Sequence, residues 1–329
     1  MRASQGVLDS ITRRAFAASA AVIATASRAL AQQPPRVKGP LVWLEMDQKE
    51  LDDAYDQSVW APNREQVMGR WASNSEVARK RLGNPKRFAY GPTPAEGLDV
   101  FTTNRLNAPI HVFIHGGAWR AGSAKDSSFA AELFVRAGAH FVAVDFANVQ
   151  DLGGDLMPMA DQVRRAIAWV YRNAASFGGD PNRLYVSGHS SGGHLLAAAL
   201  ITDWQRAFNL PSDFIKGGSV CSGMFDLKPV RLSARGKYVK FTDETERALS
   251  PQRHLDRLNC PLILAHGTFE SPEFQRQTHE FAAALKAAGK PVELLVGQGY
   301  NHFEIIETLA NPYGLLGRAA LGQMNLTPA

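Results

Sequence analysis

A chain of 329 residues with 45% hydrophobic and 20% charged side chains has the length for a sizeable core and an ordinary globular composition. That excludes a disordered, collagen-like or disulfide-dense chain. The formal charge is +5, but Arg2, Arg13, Arg14 and Arg28, against one acid, Asp9, fall in the first 31 residues and leave +2 for the remainder, too little to argue for nucleic acid or an anionic membrane as partner.

The chain opens on Thr12-Arg13-Arg14-Ala15-Phe16, a twin-arginine pattern, followed by a short apolar run to about Ala26 and an Ala-x-Ala cleavage signal at Ala29 and Ala31. This reads as a signal peptide over residues 1–31, with a periplasmic or secreted product. The run is too short to span a bilayer, and no later segment is long and apolar enough to do so. Residues 32–329 are expected to form a single domain, of which 41–96 would be an N-terminal arm and a candidate lid. Cys221 and Cys260 sit in apolar strand-like runs and read as buried, inert thiols.

Within the arm, helices are expected at Gln48–Ala54 and from Arg64 to about Leu82, the second capped by Asn63, with Val67, Met68, Trp71 and Val77 near helical spacing. Strands follow at Leu98–Thr102, Ile110–Ile114 and Phe141–Phe146, then a helix from Met157 to about Ser176. The strand Arg183–Ser187 precedes a helix from Ser191, and the strand Gly217–Ser222 comes next. Two strand–helix pairs complete the chain: Pro261–Ala265 with Glu273–Ala288, and Val292–Val296 with Phe303–Ala310. Apolar strand runs alternating with amphipathic helices predict an α/β class, with a mostly parallel central sheet and helices on both faces.

Gly188-His189-Ser190-Ser191-Gly192 fits Gly-x-Ser-x-Gly, with a strand before it and a helix after it. A turn this sharp needs glycines beside a strained Ser, whose Oγ it lifts clear of the sheet above a helix N-terminus. His115-Gly116-Gly117-Ala118-Trp119 follows the strand Ile110–Ile114. The N–H groups of Gly116 and Gly117, with that of Ser191, are candidates for an oxyanion hole. His302 lies in the loop after the last strand and Glu270 in the loop after the strand before it, the order Ser, acid, His expected of a triad built on such an elbow. Of the rival acids, Glu273 reads as a helix cap and Asp226 as part of a structural turn. Trp119, Phe269, Tyr300 and Phe303 flank these positions and are candidates for an aromatic-accepting pocket. No metal or nucleotide motif is present, so no cofactor is expected.

These residues carry a resemblance. The His115–Trp119 loop with Gly122-Ser123, the stretch Gly188–Leu195, Phe225-Asp226-Leu227, Ser271–Phe274 and His302-Phe303-Glu304 resemble the arylformamidase (kynurenine formamidase) branch of the α/β hydrolases, and similarly the carboxylesterases of the hormone-sensitive lipase type. The arm from Leu51 to Leu82 resembles that family's N-terminal helices. The resemblance implies the α/β-hydrolase fold, a Ser190–His302–Glu270 triad, and attack on an ester or formamide carbonyl. The family usually has Asp where Glu270 stands. Its tryptophan-degrading role is intracellular, so a leader points to another substrate. The sequence-level expectation is a serine hydrolase of small aromatic or short-acyl esters or N-formyl aryl amides. A true N-formylkynurenine formamidase is the alternative, and the intact residue set argues against a non-catalytic binding protein. The expected partner is a small molecule, not nucleic acid; monomer or dimer stays open.

Overall fold

The computed structural model describes residues 36–328, so the twin-arginine leader lies outside the described residues. From Leu41 onward the chain forms one compact unit. It begins with a small hairpin, β1 (Leu41–Trp43) and β2 (Met46–Asp47). Eight further strands form one sheet: β3 (Lys86–Ala89), β4 (Gly97–Phe101), β5 (Ala108–Ile114), β6 (His140–Val144), β7 (Gly179–His189), β8 (Ile215–Cys221), β9 (Leu262–Gly267) and β10 (Val292–Gly297). Their order is β10-β9-β8-β7-β5-β6-β4-β3. The run from β10 to β6 is parallel, whereas β4 pairs antiparallel with β6 and β3 antiparallel with β4.

Every residue of β5 and of β6 is buried, as expected for a parallel sheet covered on both faces. The two-residue period then divides the core. Ile110, Val112 and Ile114 point into one apolar cluster, Phe113 into the other. Around the sheet run α1 (Gln48–Tyr55), α2 (Arg64–Leu82), α3 (Ala131–Arg136), α4 (Leu156–Asn173), α5 (Ser191–Leu200), α6 (Pro272–Ala287) and α7 (Leu315–Gln323). The first cluster takes Met159, Val163 and Ile167 of α4, Leu195 and Leu196 of α5, and Phe274 and Phe281 of α6. The second takes Leu133 and Phe134 of α3 and Leu316, Ala320 and Leu321 of α7. Each such side chain contributes roughly 1.5–3 kcal/mol when fully buried.

The hairpin and the first two helices make the N-terminal arm. Asp47 and Glu50 form a reciprocal capping box on α1, each side chain accepting the other's N–H at 3.0 Å. On α2 the inward stripe is Val67, Trp71, Ser75 and Ala78, while Met68 and Val77 are exposed. Asn63 stands at the start of α2 but makes no capping bond there. Its side chain is drawn instead to the loop before Ile305, where it donates to Glu304 at 2.6 Å and accepts from Asn301 at 2.8 Å. Phe303–Ala310 is a shorter 3-10 turn, Ile305–Ala310, tightened by the Thr308 hydroxyl donating to the Ile305 carbonyl at 2.7 Å. The α6 helix is capped by Ser271, whereas Glu273 is turned sideways to the Tyr55 hydroxyl and Arg276. Asp226, read from the sequence as part of a turn, instead caps the short helix Leu227–Leu232. Cys221 and Cys260 are free and buried; burial, aided at Cys221 by the Glu270 charge, pushes both thiols up, Cys260 to about 12.

Candidate active site

Between β7 and α5 a single residue turns the chain. Ser190 has φ 56° and ψ −125°, a left-handed conformation that a non-glycine residue holds only where its surroundings fix it. Its N–H is tied to the Cys221 carbonyl at the end of β8, at 2.9 Å. The helix start must pass very close to the neighbouring strand. A Cβ on Gly192 would lie 2.1 Å from the His115 carbonyl oxygen, so no side chain fits there.

The Ser190 hydroxyl lies 2.8 Å from His302 Nε2, and His302 Nδ1 lies 2.7 Å from Glu270 Oε2. Glu270 can only accept, so Nδ1–H donates to it, leaving the Nε2 lone pair to take the Ser190 O–H. All three residues are buried. The second Glu270 oxygen accepts the Ser222 hydroxyl at 2.6 Å and the Gly267 N–H at 2.7 Å. Ser222, just past β8, is itself left-handed with φ 54°, which turns its hydroxyl to the acid. His189, just before Ser190, holds His302 from the other side: its Nε2–H donates to the His302 carbonyl at 2.8 Å. Burial, followed by the nearby His302 ring, pushes His189 well below the ordinary imidazole value, so it stays neutral.

Gly116 approaches the elbow so closely that a Cβ on it would stand 3.0 Å from Ser190 Cβ. Gly117 has φ 124°, and a Cβ there would lie 2.0 Å from the Ala121 carbonyl oxygen. Ala118 and Trp119 continue the left-handed run with φ 54° and 62°. The loop is clamped to the elbow by the Trp119 N–H, which donates to Ser191 Oγ at 3.1 Å. Among the described residues the N–H groups of Gly116 and Gly117 donate to no protein acceptor. These two N–H groups, on the cleft that also holds Ser190, are candidates for an oxyanion hole.

Ser190, His302, Gly116 and Gly117 all open on one cleft of about 1020 Å³. Of the four aromatic residues expected there, the structure places only Phe303 on its wall. Trp119 is driven into the core by its left-handed backbone and packs edge-on to His194 at 5.2 Å. Phe269 is 61% exposed and Tyr300 37% exposed, and neither lines the cleft. The aromatic wall comes instead from Trp71 of α2, which packs on Phe129 at 6.1 Å and Phe303 at 5.9 Å. Trp71 was visible in the sequence only as part of a helical stripe. Ser222 gave no signal at all, because it meets Glu270 across two strands rather than along the chain. No cluster of three or more His, Cys, Asp or Glu side chains suited to a metal occurs among the described residues.

A family model described as BD-FAE matches residues 98–285, more than half of the chain. The kynurenine formamidase of Danio rerio is 32% identical over 292 residues, covering 85% of this chain and 97% of that protein. Esterase LipC of Mycobacterium tuberculosis is 28% identical over 238 residues, covering 65% of this chain and 58% of its own length. Among solved structures, the propionate-bound Est2 esterase of the planctomycete Thermogutta terrifontis superposes with a TM-score of 0.63 at 22% identity, over 75% of this chain and 97% of that one, a likeness of fold. The chain is a hydrolase of the serine-esterase type and belongs to the arylformamidase-like, HGG-type esterase family of α/β hydrolases.

Proposed function

We propose that the chain hydrolyses small carboxylic esters, aromatic or short in the acyl chain, or N-formyl aryl amides, through a Ser190–His302–Glu270 triad and an acyl-enzyme. The observation that carries this is the continuous hydrogen-bonded chain from Ser190 Oγ through His302 to Glu270 on the wall of the cleft. Ser190 Oγ attacks the carbonyl carbon while its proton passes to His302 Nε2. The carbonyl oxygen becomes an oxyanion facing the N–H groups of Gly116, Gly117 and Ser191; one such donor is typically worth about 100- to 1000-fold in turnover. His302 then gives its proton to the departing alcohol or amine, and the acyl group stays on Ser190. Water repeats the sequence: its proton goes to His302, the tetrahedral adduct collapses, and Ser190 leaves reprotonated. Glu270 holds the ring orientation throughout and stabilises the imidazolium. The wall of Trp71, Phe129 and Phe303 supports an aryl group in the substrate.

A second reading, a true N-formylkynurenine formamidase, is favoured by the Danio rerio relative that this chain matches over 97% of its length. Turnover of p-nitrophenyl acetate and of N-formylkynurenine by the wild type, Ser190→Ala and His302→Ala tests both. Loss of about a thousandfold or more in each variant supports the triad, and the ratio of the two substrates chooses between the readings. A Ser190→Ala variant as active as the wild type would remove the nucleophile from the scheme. The twin-arginine leader supports export, tested by replacing Arg13 and Arg14 with Lys; periplasmic recovery should then fall.

A further inference from the structure

Beside the nucleophile four aromatic rings close a circuit. His302 stands 5.2 Å from Phe303 and 4.8 Å from His189, while Trp71 stands 5.9 Å from Phe303 and 5.7 Å from His189. All four residues line the cleft. His302 is the base, and Trp71 and Phe303 belong to the aryl wall. For His189, the bond to the His302 carbonyl accounts for one ring nitrogen and leaves the other, Nδ1, without a role.

A carbonyl only accepts, so Nε2 carries the ring proton, and the neutral ring keeps a lone pair on Nδ1. Among the described residues that lone pair takes no hydrogen bond. Unlike the unbonded ring nitrogens of His111, His115 and His194, it is not sealed away; it opens on the cleft. A Cβ on Gly116 would stand 3.3 Å from His189 Nδ1 and 3.0 Å from Ser190 Cβ. The acceptor and the nucleophile thus flank one point at the start of the oxyanion loop. The Gly116 and Gly117 N–H groups can only donate, so Nδ1 adds the complementary kind of partner.

An ester linkage has no hydrogen to offer such an acceptor; a secondary amide has one. Once Ser190 Oγ has bonded to the amide carbon, the C–N bond breaks as the proton taken from Ser190 passes from His302 to nitrogen, which leaves as a primary amine. For that transfer the nitrogen lone pair must face His302 Nε2–H, which turns the amide's own N–H away from His302. We propose that His189 Nδ1 receives this N–H, making His189 the residue that favours secondary amides over esters of the same shape. The bond is completed only as the nitrogen becomes tetrahedral, so it assists the transition state more than the bound substrate. The proposal rests on the hydrolase reading given above.

Kinetics of the full chain on formanilide and phenyl formate, which differ only in N–H against O, test it. Two variants separate the two ring nitrogens. His189→Gln keeps a donor for the His302 carbonyl but places no acceptor where Nδ1 stands. His189→Asn keeps an acceptor near Nδ1 but is too short to reach that carbonyl. In His189→Gln the ratio of kcat/KM for formanilide over phenyl formate should fall roughly tenfold. In His189→Asn both values should drop together, because His302 is held less well, with their ratio within about twofold of the wild type. N-methylformanilide, an amide without an N–H, should lose no more than phenyl formate in His189→Gln. A ratio unchanged in His189→Gln overturns the proposal, as does an equal loss for N-methylformanilide. A wild type that a fluorophosphonate labels at Ser190, yet that leaves formanilide uncut, overturns it too, and in all three cases the triad stands. If nothing is cleaved and Ser190 stays unlabelled, the hydrolase reading itself has failed and the role of His189 falls with it.

Discussion

Glu270 is one methylene longer than the Asp that the resemblance leads one to expect, and its surroundings use the extra reach. One oxygen meets His302 and the other meets both Ser222 and the Gly267 N–H. A donor to a charged acceptor is typically worth about 1.5–3 kcal/mol, here available to hold the acid rather than the substrate. Ser222→Gly removes the hydroxyl and suits the left-handed backbone at that position. We expect kcat to fall roughly tenfold with KM within about twofold; an unchanged kcat would show that Gly267 alone suffices. The chain order of Ser190, Glu270 and His302 was legible in the sequence because each follows a strand. Ser222 was not, since nothing along the chain links a Ser after β8 to an acid after β9. Trp119 misled for a related reason. Its position beside the glycines is readable, but the direction of its side chain is set by φ 62°, and no residue pattern announces that sign.

At the scale of elements, the central strands and the longest helices were readable from apolar runs, with ends within a few residues; the hairpin β1–β2, the edge strand β3, the short helix α3 and the closing helix α7 were not, being too brief to show a period. The arm shows what periodicity misses. The sequence offers Asn63 as a helix cap, yet tertiary partners on Asn301 and Glu304 take its side chain. Arg70 adds a two-pronged contact from α2 to Glu307, at 3.0 and 2.6 Å. The arm thus supports the segment that carries His302. Asn63→Ala should lower kcat roughly three- to tenfold while shifting Tm little, because the bonds it breaks orient a loop and do not close the core. Steady-state kinetics beside a melting curve checks this, and a large fall in Tm with kcat preserved would reverse the assignment.

Across the whole molecule, an unusual number of imidazoles are sealed in. Burial pushes His111 down to about 3 and His194 to about 4, and His189 well below the ordinary value of 6.5. Unfolded, each ring takes up a proton near pH 6.5, so below that pH the unfolded chain binds more protons than the folded one. Stability therefore falls as the pH falls, beginning near 6.5 and continuing to about pH 4, where His194 starts to titrate in the native state. Each ring contributes roughly 1.4 kcal/mol per pH unit over that window. Melting curves between pH 7 and 4.5 should show a steep decline. Replacing the stacked, hydroxyl-bonded pair by His111→Phe with Ser187→Ala should make it shallower by one ring's share. A Tm flat across the interval would refute this account.

The bridge from Asn63 to Asn301 ties α2, which lends Met68 and Trp71 to the wall of the cleft, to the segment that carries His302. An ester whose acyl chain exceeds the cleft would press on both, and any shift of His302 would lengthen its 2.8 Å contact with Ser190. Acyl chains beyond that length are therefore expected to bind without being turned over. In a homologous series of esters the limit on length then appears as a collapse of kcat, with binding still intact at the length where turnover stops.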